Sequence, residues 1–540
     1  MKDISSTGSF INFYLNNYIY VDKTQYIRDI IKLERVFISR PRRFGKSLTL
    51  DTIATLFETG VEPYFKGTWI YDKWTEPTYP VLRLNFLDLD KYSLEHFKQK
   101  LNAIISSFAR DINVKNYEEK VEPEDTIYFL LDELRKEKRQ IVILIDEYDC
   151  QMTANINNET LYKQFQEKIK SFYATIKNKW PIKFLGITGV TRLKDVEIFS
   201  IGSDINDITN DSVYSQMIGF TRDEIKKYYI DYLKLAASYE NKCRVEEVTD
   251  TQIESMLDMM AQNYDGYCFD EFYKKKVFST WSVNKFFQSV VSNKFVYFGE
   301  YWYDNGGLPS ILVNYLKTHE LNIFEYLDKD KFLKVSSDDF KNPTALTTIN
   351  QNVLMCQTGY LTLRSDLNKT STVALGIPNG EIYKALNRLL ANNIFKGNTD
   401  ITDDYGRSLL EVGTVDDIIN LFNSALNSVS YDNYPIVSES SVQNMLKLYL
   451  LGAHQKVLSE VHEAKGRADL VVNTDNRRIV FEFKYAKNET EAKSKLLDAV
   501  EQIKTRDYGN IVPNKTELLR IAAVFNADPK VRAFTEYQEV

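Results

Sequence analysis

The segment SRPRRFGKSL (Ser39–Leu48) constrains the fold of this chain more than any other. It follows the β-branched and aromatic run RVFIS (Arg35–Ser39) and precedes a helical pattern over Lys46–Phe57. A strand, a Pro/Gly turn and a helix opening on Gly-Lys-Ser form the context that a phosphate-binding loop requires. Gly45 lets the backbone approach an anion closely, and the amides that open the helix face it. Lys46 is placed to neutralise β/γ-phosphate oxygens, and Ser47 to ligate Mg²⁺. Arg42, Arg43, Phe44 and Leu48 complete the expected contact set around the nucleotide. The loop pattern ordinarily begins with glycine, and this chain has Arg40 there. An isolated Gly-Lys-Ser would read as a basic turn before a helix.

Two downstream features decide against that plain reading. The apolar run QIVILI (Gln140–Ile145) predicts a strand buried on both faces, and it ends in Asp146 and Glu147. A carboxylate at the end of a buried strand is costly unless it is paired or holds a metal. This is the Walker B arrangement, with Asp146 holding Mg²⁺ through water and Glu147 polarising the attacking water. Asp149 is expected to be a solvated loop residue. A further run, KFLGIT (Lys183–Thr188), is followed by Arg192, whose guanidinium is placed to answer charge developing on the γ-phosphate. A surface or ion-paired arginine is an equally common reading of that position. With YPVLRLNF (Tyr79–Phe86) between loop strand and Asp146 strand, the alternation predicts a parallel sheet with helices on both sides.

At 540 residues the chain holds several domains of ordinary size, roughly 100–200 residues each. Residues 1–219 form the nucleotide domain. From Phe220 the pattern turns helical, opening on a capping box, TRDE (Thr221–Glu224), ahead of a helix toward Ala237. This lid or connector region runs over 220–430, and a compact α/β unit over 431–540. The net charge of −7 means that any nucleic-acid contact must use local basic patches. The four cysteines are far apart with no C-x-x-C pair, which suits a reducing compartment. Residues 1–20 lack the pattern of a signal peptide, and no apolar run approaches the ~18 residues of a membrane span. The expectation is a soluble, cytoplasmic protein with no membrane partner. Four histidines and no H-E-x-x-H leave metal and phosphate chemistry to carboxylates and lysines.

In the last region the pattern predicts a helix over Ser441–Val457, a strand over Ala468–Val472, a turn at Thr474–Asn476, a strand over Arg478–Lys484 and a helix over Glu489–Lys504. In VFEFKY (Val480–Tyr485), a period of two puts Glu482 and Lys484 on one face and Phe481 and Phe483 on the other. Asp469, on the neighbouring strand, meets them. This is the D…(D/E)-x-K signature of the restriction-endonuclease-like fold. Two carboxylates offer hard oxygen ligands to Mg²⁺ or Mn²⁺. Such an ion polarises a scissile phosphate and lowers the pKa of bound water, with Lys484 orienting that water or stabilising the charge. E-x-K alone reads equally as a solvent-face ion pair. The upstream GRAD (Gly466–Asp469) and the element order carry the stronger reading. Lys465, Arg467, Arg477, Arg478 and Lys487 offer phosphate contacts without sequence selectivity, or an ordinary solvated rim.

VDKTQYIRDII (Val21–Ile31), SRPRRFGKSL, LIDEYD (Leu144–Asp149) and ITGVTR (Ile187–Arg192) resemble the predicted AAA-type ATPase domain of a large bacterial family. That family carries R-P-R-R-F-G-K-S, so Arg40 departs from the general loop pattern but not from the family. YDGYCF (Tyr264–Phe269), WSVNKF (Trp281–Phe286), TGYLTL (Thr358–Leu363) and GIPNGE (Gly376–Glu381) also match it, without an assignable chemistry. Ser459 and Glu460 followed by GRAD and FEFK resemble the PD-(D/E)XK nuclease domain that accompanies this ATPase. The resemblance implies Glu460 as a third acidic metal ligand, with Glu463 able to substitute, and Gln502 as a peripheral site residue. The fold class is then α/β: an ASCE/AAA-like P-loop NTPase sheet, a helical middle and a restriction-endonuclease-like C-terminal domain. The implied cofactors are ATP and Mg²⁺, with Mn²⁺ admissible at the nuclease site. The implied partner is nucleic acid, DNA ahead of RNA, with a homo-oligomer admissible. Two functions follow: an ATP-dependent nucleic-acid-processing enzyme, or a nucleotide-controlled switch whose nuclease fold binds without cleaving. A metabolic kinase leaves the C-terminal carboxylates unexplained.

Overall fold

Short apolar runs separated by amphipathic helices build the first sheet. The computed structural model describes residues 1–177, 179–193, 204–304, 310–316, 319, 325–343, 345–395, 405–453, 455–463, 466–508 and 517–540. In it, β1 (Arg35–Ser39), β2 (Val81–Asn85), β3 (Ile141–Asp146), β4 (Ile182–Gly189) and β5 (Asn206–Asp207) lie in the order β2-β3-β4-β1-β5, every neighbouring pair parallel. β1 and β3 are buried along their whole length, as strands covered on both faces must be. The chain leaves β1 for the far edge, returns through β3 and β4, and then crosses to β5. β4 therefore separates the loop strand from the Asp146 strand. The carboxyl ends of β1 and β3 still open onto one crevice beside the point where the strand order reverses, where such sheets bind ligands.

Asp149 is not the solvated loop residue expected. It is buried, and its carboxylate accepts the amides of Thr191 at 2.7 Å and Val190 at 3.3 Å and the Thr191 hydroxyl. These bonds staple the turn after β3 to the turn after β4. Three residues beyond a buried strand, a short acceptor is the economical way to satisfy amides that the sheet has released.

The helical stretch begins as expected. The capping box at Thr221 and Glu224 is formed, and Lys23 of the Val21–Ile31 segment reaches Glu224 at 2.6 Å and the Gln216 carbonyl at 2.8 Å. The single helix expected toward Ala237 is instead two, Arg222–Tyr228 and Ile230–Asn241. The break sits at Tyr229, whose hydroxyl donates to Asn284 Oδ1 at 2.6 Å and whose ring stacks on Phe287 at 5.3 Å. With Asp250–Tyr264 and Thr280–Asn293 these helices enclose a core of Leu233, Met256, Met260, Phe286 and Phe287. The stretch also contains an antiparallel sheet of β6 (Leu333–Ser336), β7 (Thr362–Leu363) and β8 (Thr372–Gly376), ordered β6-β8-β7.

The chain divides into two compact units, Met1–Leu321 with Asp330–Ile382, and Asn322–Lys329 with Tyr383–Val540. The first part of the 220–430 stretch thus belongs to the nucleotide-loop unit. In the second unit β9 (Lys456–Glu463), β10 (Gly466–Asn473), β11 (Arg477–Ala486), β12 (Glu517–Asn526) and β13 (Ala533–Glu539) form a sheet ordered β13-β12-β11-β10-β9. β11 and β12 are parallel, joined through the helix Glu489–Arg506, and the other pairs are antiparallel. The helix expected over Ser441–Val457 runs from Glu439 to Gly452, because the Gln455 amide closes back on the Leu450 carbonyl and β9 starts at Lys456. The period-two reading of β11 holds. Phe481 and Phe483 pack on Phe422 and Phe534, while Val480 faces Ala499 and Ile503 of the Glu489–Arg506 helix. Among the described residues, no helix is long and apolar enough to cross a membrane.

Asp149→Ala removes a charged acceptor from two buried amides and a hydroxyl. We expect a loss of about 3 kcal/mol, read as a lower urea midpoint with unchanged slope; a loss below ~0.5 kcal/mol would show that the staple is dispensable.

Candidate functional site

At the carboxyl end of β1 the backbone turns through two residues at positive φ, Arg43 (68°) and Gly45 (104°), before the helix Lys46–Thr59 begins. Alternating hand along successive amides makes a concavity that receives an anion. A cavity of about 380 Å³ opens here, bordered by Arg42, Gly45, Lys46, Ser47, Leu48 and Glu147. Its far wall is apolar, with Val21, Ile27, Ile218 and Phe220. A charged end and an apolar end in one cavity suit a nucleotide.

Lys46 is almost fully buried. Its ammonium donates to the carbonyls of Arg40 at 3.0 Å and Pro41 at 3.2 Å and lies 3.6 Å from Glu147 Oε1. Ser47 Oγ donates to Asp146 Oδ2 at 2.6 Å, while Asp146 Oδ1 accepts the Thr188 hydroxyl and, at 3.0 Å, the Glu147 amide. Ser47 and Asp146 thus present hard oxygens side by side, the donor set that fits Mg²⁺. Glu147 is held at φ 51° beside them. Burial pushes its carboxyl up, against the pull of Lys46 and with the push of Asp149 and Asp146. A carboxylate made more basic in this way suits proton abstraction from water.

Other expected residues sit differently. Arg192 is ion-paired to Asp207 of β5, and its amide donates to Gln357 Oε1 at 3.3 Å. It borders a smaller cavity with Arg40 and Thr209 rather than the loop cavity. Arg43 borders the cavity, but its guanidinium donates to the carbonyls of Tyr301 at 3.1 Å and Trp302 at 3.2 Å. Phe44 borders the cavity, but its buried ring packs edge-on against Tyr267 and Phe269. Arg40, at the position of the usual glycine, is buried and donates to the carbonyls of Ser39 at 2.9 Å and Thr209 at 2.6 Å. Burial lowers its pKa to about 9, with Asp207 countering.

In the second unit Asp469, Glu482 and Lys484 come together. Asp469 Oδ2 accepts the Phe483 amide at 2.8 Å, which ties the β10 carboxylate to β11. Lys484 donates to Glu482 Oε1 at 2.7 Å. Glu482 is 0% exposed, and its Oε2 is buried without a hydrogen-bond partner. Burial, then the charge of Asp469, raises its carboxyl to about 7 against the pull of Lys484. Burial pulls the Lys484 ammonium down, but Glu482, Glu439 and Asp469 together raise it. A buried carboxylate oxygen left without a donor beside a second carboxylate fits a divalent cation held by Asp469 and Glu482. Glu460 lies on β9, but its side chain, like that of Glu463, is outside the described residues, as is Lys465.

The sequence did not point to Glu439, Arg506 or Tyr508. Glu439 opens the helix Glu439–Gly452 and lies 3.5 Å from Lys484 Nζ. Arg506, beyond Gln502 on the last helix, donates to the Tyr508 hydroxyl at 3.0 Å; that bond and the charges of Glu482 and Asp469 raise its pKa. Gln502 donates to the same hydroxyl at 3.3 Å. A single acidic residue at a helix start reads as ordinary capping chemistry, so Glu439 carried no distinguishing signal. Among the basic residues, Arg477 pairs with Glu517 at 3.1 Å and is largely buried, so it is a structural link.

Glu482 gives a signed pH dependence. Its carboxyl is raised from 4.5 to about 7 in the fold. Between those values the folded chain keeps a proton that the unfolded chain has released, so stability falls as pH rises through the window and stays lower above it. Glu482→Gln removes this loss. In EDTA, urea unfolding of the full chain should favour the variant over wild type by about 3 kcal/mol more at pH 8 than at pH 4.5. A difference independent of pH would contradict the burial of an ionisable Glu482.

Two family models match parts of this chain. Residues 5–199 match the family model of the predicted AAA-ATPases, and residues 437–535 match that of the PD-(D/E)XK nuclease superfamily. A protein of Azotobacter chroococcum mcd 1, described only as an uncharacterized protein in the vnfD 5' region, is 25% identical over 532 residues, 95% of this chain and 94% of that protein. The crystal structure of Cdc6p from Pyrobaculum aerophilum aligns over 67% of this chain and 90% of its own at 11% identity and a TM-score of 0.23. The chain carries a predicted AAA-ATPase-like domain in its N-terminal part and a PD-(D/E)XK nuclease superfamily domain at its C-terminal end.

Proposed function

We propose that this chain binds and hydrolyses ATP at the phosphate loop and cleaves phosphodiester bonds in its C-terminal domain, with DNA ahead of RNA as substrate. The observation that carries the cleavage reading is the buried, unsatisfied oxygen of Glu482 beside Asp469 and Lys484. A bound divalent ion supplies Lewis-acid polarisation of the phosphate and a more acidic water. Asp469 and Glu482 would hold it, and the Lys484 ammonium meets the charge that builds on the phosphate oxygens. At the other site Lys46 and the loop amides bind the phosphates, and Ser47 and Asp146 would hold Mg²⁺. Glu147 takes the proton of the attacking water. The reading takes the protein as cytoplasmic, with ATP setting conformation or homo-oligomeric assembly.

The net charge of −7 favours a second reading, a nucleotide-controlled switch whose nuclease fold binds a partner without cutting. Both are tested together. Purified wild type is incubated with labelled DNA and RNA in Mg²⁺ or Mn²⁺, with and without ATP. Cleavage lost in Asp469→Ala and Lys484→Ala supports the enzyme. Absent cleavage with ATP-dependent sedimentation that Lys46→Ala abolishes supports the switch. At the ATP site, Glu147→Gln should retain nucleotide binding and lower kcat about 10²–10⁴-fold; unchanged turnover would remove Glu147 from the role of base.

A further inference from the structure

Four segments downstream of the sheet, Tyr264–Phe269, Trp281–Phe286, Thr358–Leu363 and Gly376–Glu381, carry no recognisable chemistry in the sequence. In the fold they meet around the phosphate loop, where Trp281 of the second also borders the loop cavity. From the first, Tyr267 and Phe269 pack edge-on against Phe44 at 4.7 and 5.5 Å, and the Phe269 ring lies 4.1 Å from the Arg40 guanidinium. From the second, the Trp281 ring lies 4.7 Å from the Arg43 guanidinium, and neighbouring Thr280 donates to the Arg43 carbonyl at 2.9 Å. From the third, Gly359 at φ 93° touches Pro41 so closely that a Cβ would sit 2.9 Å from the proline ring. From the fourth, Glu381 accepts the Ser282 hydroxyl at 2.7 Å and the Trp302 amide at 2.8 Å. Trp302 and Tyr301 in turn offer their carbonyls to Arg43, and Tyr301 also accepts the Trp281 indole at 3.1 Å.

We propose that Arg43 is a positioning residue through which the stretch 280–302, anchored by Glu381, holds the phosphate loop in its anion-receiving shape. A non-glycine residue at positive φ costs roughly 1–3 kcal/mol and persists only where its surroundings over-determine it. Here two carbonyls, one ring and one hydroxyl do so, and all come from residues 280–302. The Arg43 guanidinium is committed to this network, so the positive charge facing a phosphate comes from Lys46 and Arg42. The contribution of Arg43 is the direction in which the amides between it and Gly45 point. Glu381 sits two bonds behind, fully buried; burial raises its carboxyl to about 8, so near neutrality it holds a proton and acts as a hydrogen-bonding wedge rather than a counter-charge.

The inference rests on ATP occupying the loop, and the test separates the two. ATP affinity with Mg²⁺ is measured by calorimetry on the full chain, at a temperature where circular dichroism shows each variant folded. Arg43→Gly relieves the backbone strain but removes the anchor. Arg43→Lys keeps the charge but loses the planar fork and the stacked face. Both should bind ATP about tenfold or more weakly, equivalent to the ~1.4 kcal/mol of one decade. Glu381→Ala, which removes no group from the cavity wall, should weaken ATP similarly, and Glu381→Gln, an isostere of the protonated acid, should restore it. Arg43→Gly and Glu381→Ala binding ATP as wild type does would overturn the proposal, because backbone freedom alone would then suffice. Wild type failing to bind ATP would overturn the nucleotide reading and this inference with it.

Discussion

Asp146 ends a strand buried along its whole length, and a carboxylate there is tolerable only while its oxygens are bonded. Its three partners belong to three elements: Ser47 on the helix after β1, Thr188 on β4, and the amide of Glu147 in its own turn. Each hydrogen bond to the charge contributes about 2 kcal/mol, but their geometric effect is larger. β4 lies between β1 and β3, so no ladder joins the phosphate loop directly to the strand that carries the acid. The Ser47–Asp146 bond supplies that link. It sets the helix start against the strand end, and with it the separation of Lys46 from Glu147. Asp149 does the same one turn later, so the loops after β3 and β4 are pinned by carboxylates rather than by backbone pairing.

The second unit leaves a comparable problem unsolved by the protein alone. Asp469 spends one oxygen on the Phe483 amide, and Glu482 spends one on Lys484, but the other Glu482 oxygen has no donor. The consequence is a carboxyl that holds its proton to about pH 7. Asp146 is a satisfied acid that organises its surroundings; Glu482 is one with a buried oxygen that no protein donor reaches. The difference follows from position. Asp146 lies at a strand end, where helix and loop donors gather, whereas Glu482 lies mid-strand in the ladder with β12, and the adjacent Phe483 amide is taken by Asp469.

Periodicity made part of two sheets readable. RVFIS, QIVILI and KFLGIT appear as β1, β3 and β4 within a residue or two, and the alternation of β11 puts Phe481 and Phe483 on the core and Glu482 and Lys484 on the site. β9 was not legible, because it begins four residues after the helix end at Gly452 with no strong breaker between them, and helical and strand periods overlap there. The break at Tyr229 was hidden for another reason: a hydrogen bond to Asn284 and a stack on Phe287, both more than fifty residues away, override an unbroken local helical pattern. Charge identities in the loop were legible, but directions were not. Arg42, Arg43 and Arg192 all read as phosphate ligands by type, and what Arg43 and Arg192 turn toward is decided by carbonyls of Tyr301 and Trp302 and by Asp207.

That misdirection explains the missing first glycine. In the general loop pattern, glycine supplies conformational freedom at the first turn. Here Arg40 stands in its place with its side chain under the loop, bonded to Ser39 and Thr209 carbonyls and stacked on Phe269. Glycine leaves a loop free to adopt the phosphate-binding shape; an arginine committed at both ends of R-P-R-R forces the loop into one shape before any ligand arrives. The entropy that a glycine loop loses on ordering is then lost during folding, where about 1–2 kcal/mol per fixed residue is offset by the contacts of Arg40 and Arg43. A loop built this way depends on its outer support, so the residues that shape the phosphate site extend to Glu381, far beyond the parallel sheet in sequence.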